Sequence, residues 1–282
     1  MTPTDMPPPA SATPPADILA RIVAHKRAML PARRQLLPPA HLEAMPGFTR
    51  QPLSLADALR QGRGSGVIAE FKRRSPSKGT LNDRADPAAV AAGYARHGAS
   101  AVSVLTDEVF FGGTAEDLMA VRAAVDIPVL RKDFVVDEYQ ILEARALGAD
   151  LVLLIAACLS PGEVRRLAAF ANTLGMEAVL ELHDEAEVRH LCDEVAIVGI
   201  NNRDLRIFQV DVDRSLRMAD TIPAGKPLVA ESGIDSAEQL RRFRTHGFHG
   251  FLIGERFMRT DDPAAAYRDF MSAIDPNPLP CA

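Results

Sequence analysis

Acids, lysines and amides recur along the chain where short β-branched runs end, and their spacing sets several of them on one side of the backbone. In Glu70-Phe71-Lys72, period-two alternation in a strand turns both charged side chains one way and Phe71 the other. The same kind of ending returns at Leu130-Arg131-Lys132-Asp133-Phe134, Glu181-Leu182-His183 and Ile200-Asn201-Asn202-Arg203-Asp204. It returns again at Glu231-Ser232-Gly233 and Ile253-Gly254-Glu255. Lysines beside carboxylates are groups that can donate and accept protons. One such residue alone is an ordinary loop charge, because loops are polar. Their joint placement at so many run ends favours a shared site.

Two further features describe what that site would hold. Ser232-Gly233 and Gly254 offer backbone that can approach an anion closely, and Ser75-Pro76-Ser77-Lys78-Gly79 adds hydroxyls and a lysine. A phosphorylated ligand follows. Phe110, Phe111 and Phe134 could line an apolar slot for a planar ring, although core packing is the default for any single Phe.

The elements that must position these residues alternate short strands with amphipathic helices. Strands are expected over Val67–Phe71, Ala101–Leu105, Pro128–Leu130, Leu151–Ile155, Ala178–Leu182, Ala196–Ile200, Leu228–Ala230 and Gly250–Ile253. Helices are expected over Pro87–Arg96, Thr114–Ala124, Tyr139–Leu147, Pro161–Leu174, Glu185–Leu191, Val212–Met218, Ala237–Arg244 and Pro263–Ala273. That rhythm predicts an α/β fold, a (β/α)8 TIM barrel with an extra N-terminal helical segment, in which strand ends converge on one mouth. An open doubly wound sheet would show a GxGxxG turn after the first strand, whereas Gly62, Gly64 and Gly66 precede it. Ile18, Ile22, Val23, Met29 and Leu30 recur at helical spacing and predict a lid helix. The expected division is a disordered Pro-rich tail over 1–16, one catalytic domain over 17–275 including the lid helix, and a tail over 276–282.

Composition narrows the class. With 282 residues, 47% hydrophobic and 24% charged, the chain can bury a sizeable core. A net charge of -5 gives no electrostatic reason to expect nucleic acid. Cys158, Cys192 and Cys281 form neither a CxxC pair nor an even set, which favours reduced thiols, a cytoplasmic location and no metal site. The run from Leu151 to Leu159 is far shorter than the ~20 residues of a spanning helix, so no membrane segment is expected. The basic stretch from Asp17 to Leu37 has transit-peptide character, but six prolines before it and no apolar run favour a simple leader.

The stretch Val67-Ile68-Ala69-Glu70-Phe71-Lys72-Arg73-Arg74-Ser75-Pro76-Ser77-Lys78-Gly79 resembles the signature of indole-3-glycerol-phosphate synthases. So do Leu105-Thr106-Asp107-Glu108 with Phe110-Phe111-Gly112-Gly113, and Leu130 to Phe134 with Tyr139-Gln140. Gly199 to Leu205 and Ala230 to Ile234 extend the likeness, in the family's order, from about Asp17 to the C-terminal helix.

The resemblance implies ring closure, decarboxylation and dehydration of 1-(o-carboxyphenylamino)-1-deoxyribulose 5-phosphate in tryptophan biosynthesis, without a cofactor. It implies Lys132 as proton donor to the carbonyl oxygen with Glu181 as its partner, Lys72 holding the substrate carboxylate, and Glu70 as base, with the assignments among these four exchangeable. It also implies Asn201, Arg203, Glu231 and Ser232 as orienting groups, and Ser75, Gly233, Gly254 and Glu255 around the phosphate, with Phe111 and Phe134 on the ring. Other tryptophan-pathway enzymes are the implied partners. Arg74 and Arg256 depart from the family, which often carries a small residue and a serine there; at least one is expected to strengthen the field at the phosphate. His183 and His190 are read as loop or surface histidines. Three alternatives stand beside this reading: an aldolase-like barrel with a Lys132 Schiff base, a neighbouring pathway isomerase, and a degenerate binding scaffold.

Overall fold

A computed structural model describes residues 18–76, 78–203 and 209–274. The expected tails therefore lie outside the described residues, as do Ser77 and Asp204. Eight parallel strands close on themselves: β1 (Val67–Phe71), β2 (Ala101–Leu105), β3 (Val129–Lys132), β4 (Leu151–Ile155), β5 (Glu177–Leu182), β6 (Ile197–Asn201), β7 (Leu228–Glu231) and β8 (Phe248–Ile253). Each strand pairs with its sequence neighbours, and β8 closes on β1 through Val67 with Phe251 and Ala69 with Ile253. Closure leaves no edge strand to pair with another chain.

Strand parity divides the core. Val67, Ala69 and Phe71 face outward into the large cluster shared with the helices, while Ile68 joins Ala101, Leu130, Leu151, Val179, Ile197 and Val229 inside the barrel. Helices Pro87–Arg96, Ala115–Ala124, Glu138–Ala146 and Pro161–Thr173 start on side-chain caps from Asp86, Thr114, Asp137 and Ser160. These caps satisfy N–H groups that the first turn would leave unpaired.

Several expected boundaries move. The third strand runs Val129–Lys132 where Pro128–Leu130 was expected, so Lys132 sits in the ladder itself, opposite Leu105. Glu185–His190 is a 3-10 helix where a longer helix was expected; its six residues fill a short crossover. The segment after β1, for which no strand was expected, carries a small hairpin in which Arg74 pairs Thr80 and Ser75 pairs Gly79.

Below the barrel, helix Leu55–Arg60 inserts Leu55 and Leu59 into the interior cluster and plugs the base. Above it, α1 (Ile18–Leu36) lies across the strand ends. Lys26 Nζ from α1 sits 2.9 Å from Asp107 Oδ2 and 2.6 Å from Asp133 Oδ1. Burial pushes the Asp133 carboxyl up, but Lys26 and Arg131 outweigh it and hold the group at about 2. No helix among the described residues is long and apolar enough to cross a membrane.

Candidate active site

Alternate strands of a barrel fill its interior in layers of four side chains. Glu70 (β1), Lys132 (β3), Glu181 (β5) and Glu231 (β7) occupy corresponding inward positions near the upper strand ends, above the apolar interior cluster. Lys132 Nζ lies 3.5 Å from Glu181 Oε2 and 3.8 Å from Glu231 Oε2. Lys72, two residues beyond Glu70, donates to Glu70 Oε1 at 2.6 Å. Asn201 Nδ2 donates to Glu181 Oε1 at 2.9 Å, and Asn201 Oδ1 accepts from the Arg203 backbone N–H at 2.9 Å.

The three carboxylates are at most 3% exposed, so water contributes little to screening them and their neighbours decide their charge. Burial raises Glu70, yet Lys72 and Lys132 pull it below its ordinary value. Burial raises Glu181 as well, and Lys132 with His183 draws it far down. Glu231 is pushed up to about 8 by burial and by the Glu181 charge, against the pull of Lys132. Burial alone would lower Lys132, but Glu181, Glu231 and Glu70 raise it well above the usual lysine range. The site at neutral pH therefore holds an ammonium at Lys132, carboxylates at Glu70 and Glu181, and a neutral acid at Glu231. From sequence the balance at Lys132 between cations and carboxylates stood open; the geometry decides it for the carboxylates.

Two glycines make room for this layer. A Cβ on Gly254 would stand 2.7 Å from Glu70 Cβ and Oε1, and one on Gly199 would stand 2.3 Å from Glu231 Oε1. Gly254 was read as giving an anion access to the backbone; its φ is negative, and the demand on it comes from Glu70. Ser232 (φ 67) and Gly233 (φ 73) turn the chain after β7 through left-handed conformations, and Ser232 is the one non-glycine residue with positive φ among those described. Such backbone strain clusters at functional sites, and here Asn202 Nδ2 braces it by donating to the Ser232 carbonyl at 3.2 Å.

One cavity of about 800 Å3 is bordered by Glu70, Lys72, Ser75, Phe111, Lys132, Phe134, Glu181, Asn201, Arg203, Glu231, Ser232, Gly233, Gly254 and Glu255, the residues that the family resemblance implies. Phe111 and Phe134 flank one end with ring centroids 5.9 Å apart. Phe110 is absent from the wall and instead meets the edge of His25 on α1. Ile18, Leu19 and Ile22 of α1 roof the cavity; hydrophobic periodicity had named Ile18 and Ile22 but not Leu19.

At the other end, Arg203 Nη2 reaches Glu255 Oε2 at 3.1 Å, and Arg259 pairs with the other Glu255 oxygen. Arg259 was missed, although its i,i+4 spacing from Glu255 was a usable signal. Of the two departing arginines, Arg256 borders the cavity and donates to the Asp235 carbonyl at 2.5 Å. Arg74 turns away, donating to the carbonyls of Glu108 and Val109 at 2.7 and 2.6 Å. The histidines also differ from expectation. His190 is buried and its ring bridges the Glu187 and Leu159 carbonyls, while His183 is enclosed beside Glu181.

Against known proteins, the family model described as indole-3-glycerol phosphate synthase matches residues 19–270. A Bacteroides thetaiotaomicron protein named indole-3-glycerol phosphate synthase is 45% identical over 92% of this chain and 99% of its own length. A Salinibacter ruber protein of the same name is 46% identical over 88% of this chain and 93% of its own. Among solved structures, thiamine phosphate pyrophosphorylase from Pyrococcus furiosus superposes with a TM-score of 0.55 at 13% identity, covering 74% of this chain and 95% of that one. That likeness concerns the fold alone.

Proposed function

Since the chain belongs to the indole-3-glycerol phosphate synthase family, we propose that its barrel mouth converts 1-(o-carboxyphenylamino)-1-deoxyribulose 5-phosphate to indole-3-glycerol phosphate, carbon dioxide and water. The observation that carries the reading for this chain is the isolated ammonium of Lys132, held between Glu181 and Glu231 opposite the Glu70–Lys72 pair.

In the proposed sequence the substrate's aromatic ring lies against Phe111 and Phe134, and its phosphate lies toward Ser75, Gly233, Gly254 and Glu255. Lys132 donates a proton to the ketone oxygen as the ring carbon bearing the carboxylate attacks the carbonyl carbon. Lys72 neutralises that carboxylate until it departs as carbon dioxide, returning its electron pair to the ring. Loss of the hydroxyl then needs a proton on the leaving oxygen and a base for the remaining ring proton, roles assigned to Lys72 and Glu70. Asn201, Arg203, Glu231 and Ser232 orient the intermediate.

The Schiff-base alternative requires Lys132 as a free amine. The three neighbouring carboxylates favour its ammonium form, which supports the proton-donor role instead. Residues 17–275 form one catalytic domain on this reading, with α1 as part of it. A cytoplasmic location and contact with other enzymes of tryptophan synthesis would accord with a biosynthetic role.

The test is indole fluorescence on mixing the purified chain with the carboxyphenylamino-deoxyribulose phosphate, beside Lys132→Ala. Product from the parent and at least ~1000-fold less from the variant is expected. A folded parent without product refutes the activity, and substrate-dependent trapping of Lys132 by borohydride refutes the proton-donor role.

A further inference from the structure

We propose that His183, supported by Glu187, is a positioning residue that decides which of the two carboxylates facing Lys132 carries the proton. The inference rests on the acid–base reading given above for Lys132 and Glu181.

Sequence parity places His183 two residues beyond Glu181, the relation that Lys72 bears to Glu70, Phe134 to Lys132 and Gly233 to Glu231. Those three border the cavity, whereas His183 is turned aside from its wall. It therefore acts through Glu181 and not on substrate. Its Nε2 stands 3.1 Å from Glu181 Oε1, and its Nδ1 stands 3.7 Å from Glu187 Oε2. Both carboxylates therefore act on the ring through close contact and charge together. The His183 backbone N–H donates to the same Glu187 oxygen at 2.6 Å, which fixes that carboxylate beneath the ring.

Glu181 and Glu231 are alike in burial and in facing Lys132. Both are 1% exposed, and each presents Oε2 to Lys132 at less than 4 Å. Two buried carboxylates sharing one ammonium do not both ionise cheaply, so one takes a proton. The charged and titratable groups around the pair are Lys132, the Glu70–Lys72 pair, His183, and Glu187 with His190 behind it; Asn201 contributes a neutral donor. Among these, His183 is the cation that touches one member of the pair and not the other. Burial lowers the imidazole, but Glu181 and Glu187 raise it to about 10, so it is charged throughout the neutral range. It thereby keeps Glu181 ionised, with Oε1 engaged by His183 and Asn201 and Oε2 left for Lys132, and leaves the proton on Glu231. Without that charge the proton moves to Glu181, and the ionised partner of Lys132 changes from Glu181 at 3.5 Å to Glu231 at 3.8 Å, away from the Asn201 and His183 side of the site.

The experiment compares pH profiles of kcat for the parent, His183→Gln and Glu187→Gln, with melting temperatures as the folding control. His183→Gln keeps bulk and a donor but removes the charge. Its acid limb should move up to about pH 7, so that kcat at pH 6 falls about tenfold and recovers as pH rises, with KM within about twofold. Glu187→Gln leaves the ring but weakens its charge. It should add a basic limb, below that of the parent, as His183 deprotonates. A folded His183→Gln with the parental profile and kcat overturns the proposal, and so does a folded Glu187→Gln without the new limb. Should His183→Gln not fold, the Glu187→Gln profile decides alone. A parent that makes no product fails the proposed function instead, which separates the two.

Discussion

Replacing Glu231 by glutamine should stabilise the protein while slowing its reaction. Glu231 is 1% exposed, neither carboxyl oxygen has a hydrogen-bond partner in the protein, and burial beside the Glu181 charge lifts it from an ordinary 4.5 to about 8. Between those values the folded state holds a proton that the unfolded state has released. Stability therefore declines as pH rises from 4.5 to 8 and levels off above. At pH 7 the difference is about 2.5 pH units, or on the order of 3 kcal/mol. Glutamine has similar volume and no proton to take up, so the variant escapes this cost. The gain should be near zero at pH 4.5, about 3 kcal/mol at pH 7, and somewhat larger at pH 9. At roughly 2–4 °C per kcal/mol, the melting temperature at pH 7 rises by several degrees. Urea unfolding or thermal melts from pH 5 to pH 9 read the effect directly, and kcat should fall about 10- to 100-fold as the orienting acid is lost. A stability difference that is flat across this range, or of opposite sign, refutes the charge assignment.

Gly254→Ala should act as a remote lesion of Glu70. The added methyl would stand 2.7 Å from the Glu70 carboxylate, so that side chain must leave its 2.6 Å contact with Lys72, and kcat should drop about 100-fold. Kinetics with a crystal structure of the variant check this, and parental kcat would show that Glu70 can yield without consequence. Lys26→Met removes the ammonium between Asp107 and Asp133, each with a side chain 1% exposed, at a cost of about 3 kcal/mol. In the parent, the stability supplied by Asp133 is present above about 3.8 and lost as pH falls toward 2; in the variant that loss begins at higher pH. Acid titration followed by circular dichroism reads the shift, and KM should rise because Leu19 and Ile22 on the same helix border the cavity. An unchanged acid midpoint and KM would show that Lys26 does not anchor the lid.

The barrel was legible because each strand carries two signals at once. Val67, Ala69 and Phe71 face one cluster and Ile68 the other, an alternation written directly in the residue types, and capping residues such as Ser160 and Thr114 mark where helices begin. The wall of the site was legible for the same reason, since parity brings Glu70 with Lys72, Lys132 with Phe134 and Glu231 with Gly233 to one side. What parity cannot give is distance across the barrel. The neutral state of Glu231 and the raised pKa of Lys132 arise from neighbours 50 to 100 residues away, and no local pattern encodes them. The contacts of His183 with Glu181 and Glu187 were not legible, because Glu187 sits on a 3-10 turn expected as part of a longer helix. Arg74 was linked to the phosphate by proximity in sequence, but the hairpin after β1 carries it over the carbonyls of Glu108 and Val109.

The two ends of the barrel use the same residue type for opposite purposes. At the base, Asp150 is fully buried and accepts from the backbone N–H groups of Val129 and Leu53 at 2.7 Å each and from Arg122 at 2.8 Å. Glu177 likewise accepts from Leu55 and Ala56 N–H at 3.0 Å, tying the plug helix to β5. These carboxylates are saturated by the protein and hold structure. At the mouth, Glu181 Oε2 and both Glu231 oxygens are buried without a hydrogen bond from the protein. A buried acceptor left unpaired costs on the order of 1–3 kcal/mol, and a fold that satisfies its carboxylates at one end has no need to leave them unsatisfied at the other. Glu181 and Glu231 border the cavity, where a substrate carrying hydroxyl and amine donors would supply the missing bonds. Placing stabilising carboxylates at the base and unsatisfied ones at the mouth lets the barrel carry a strained site without weakening the scaffold that holds it.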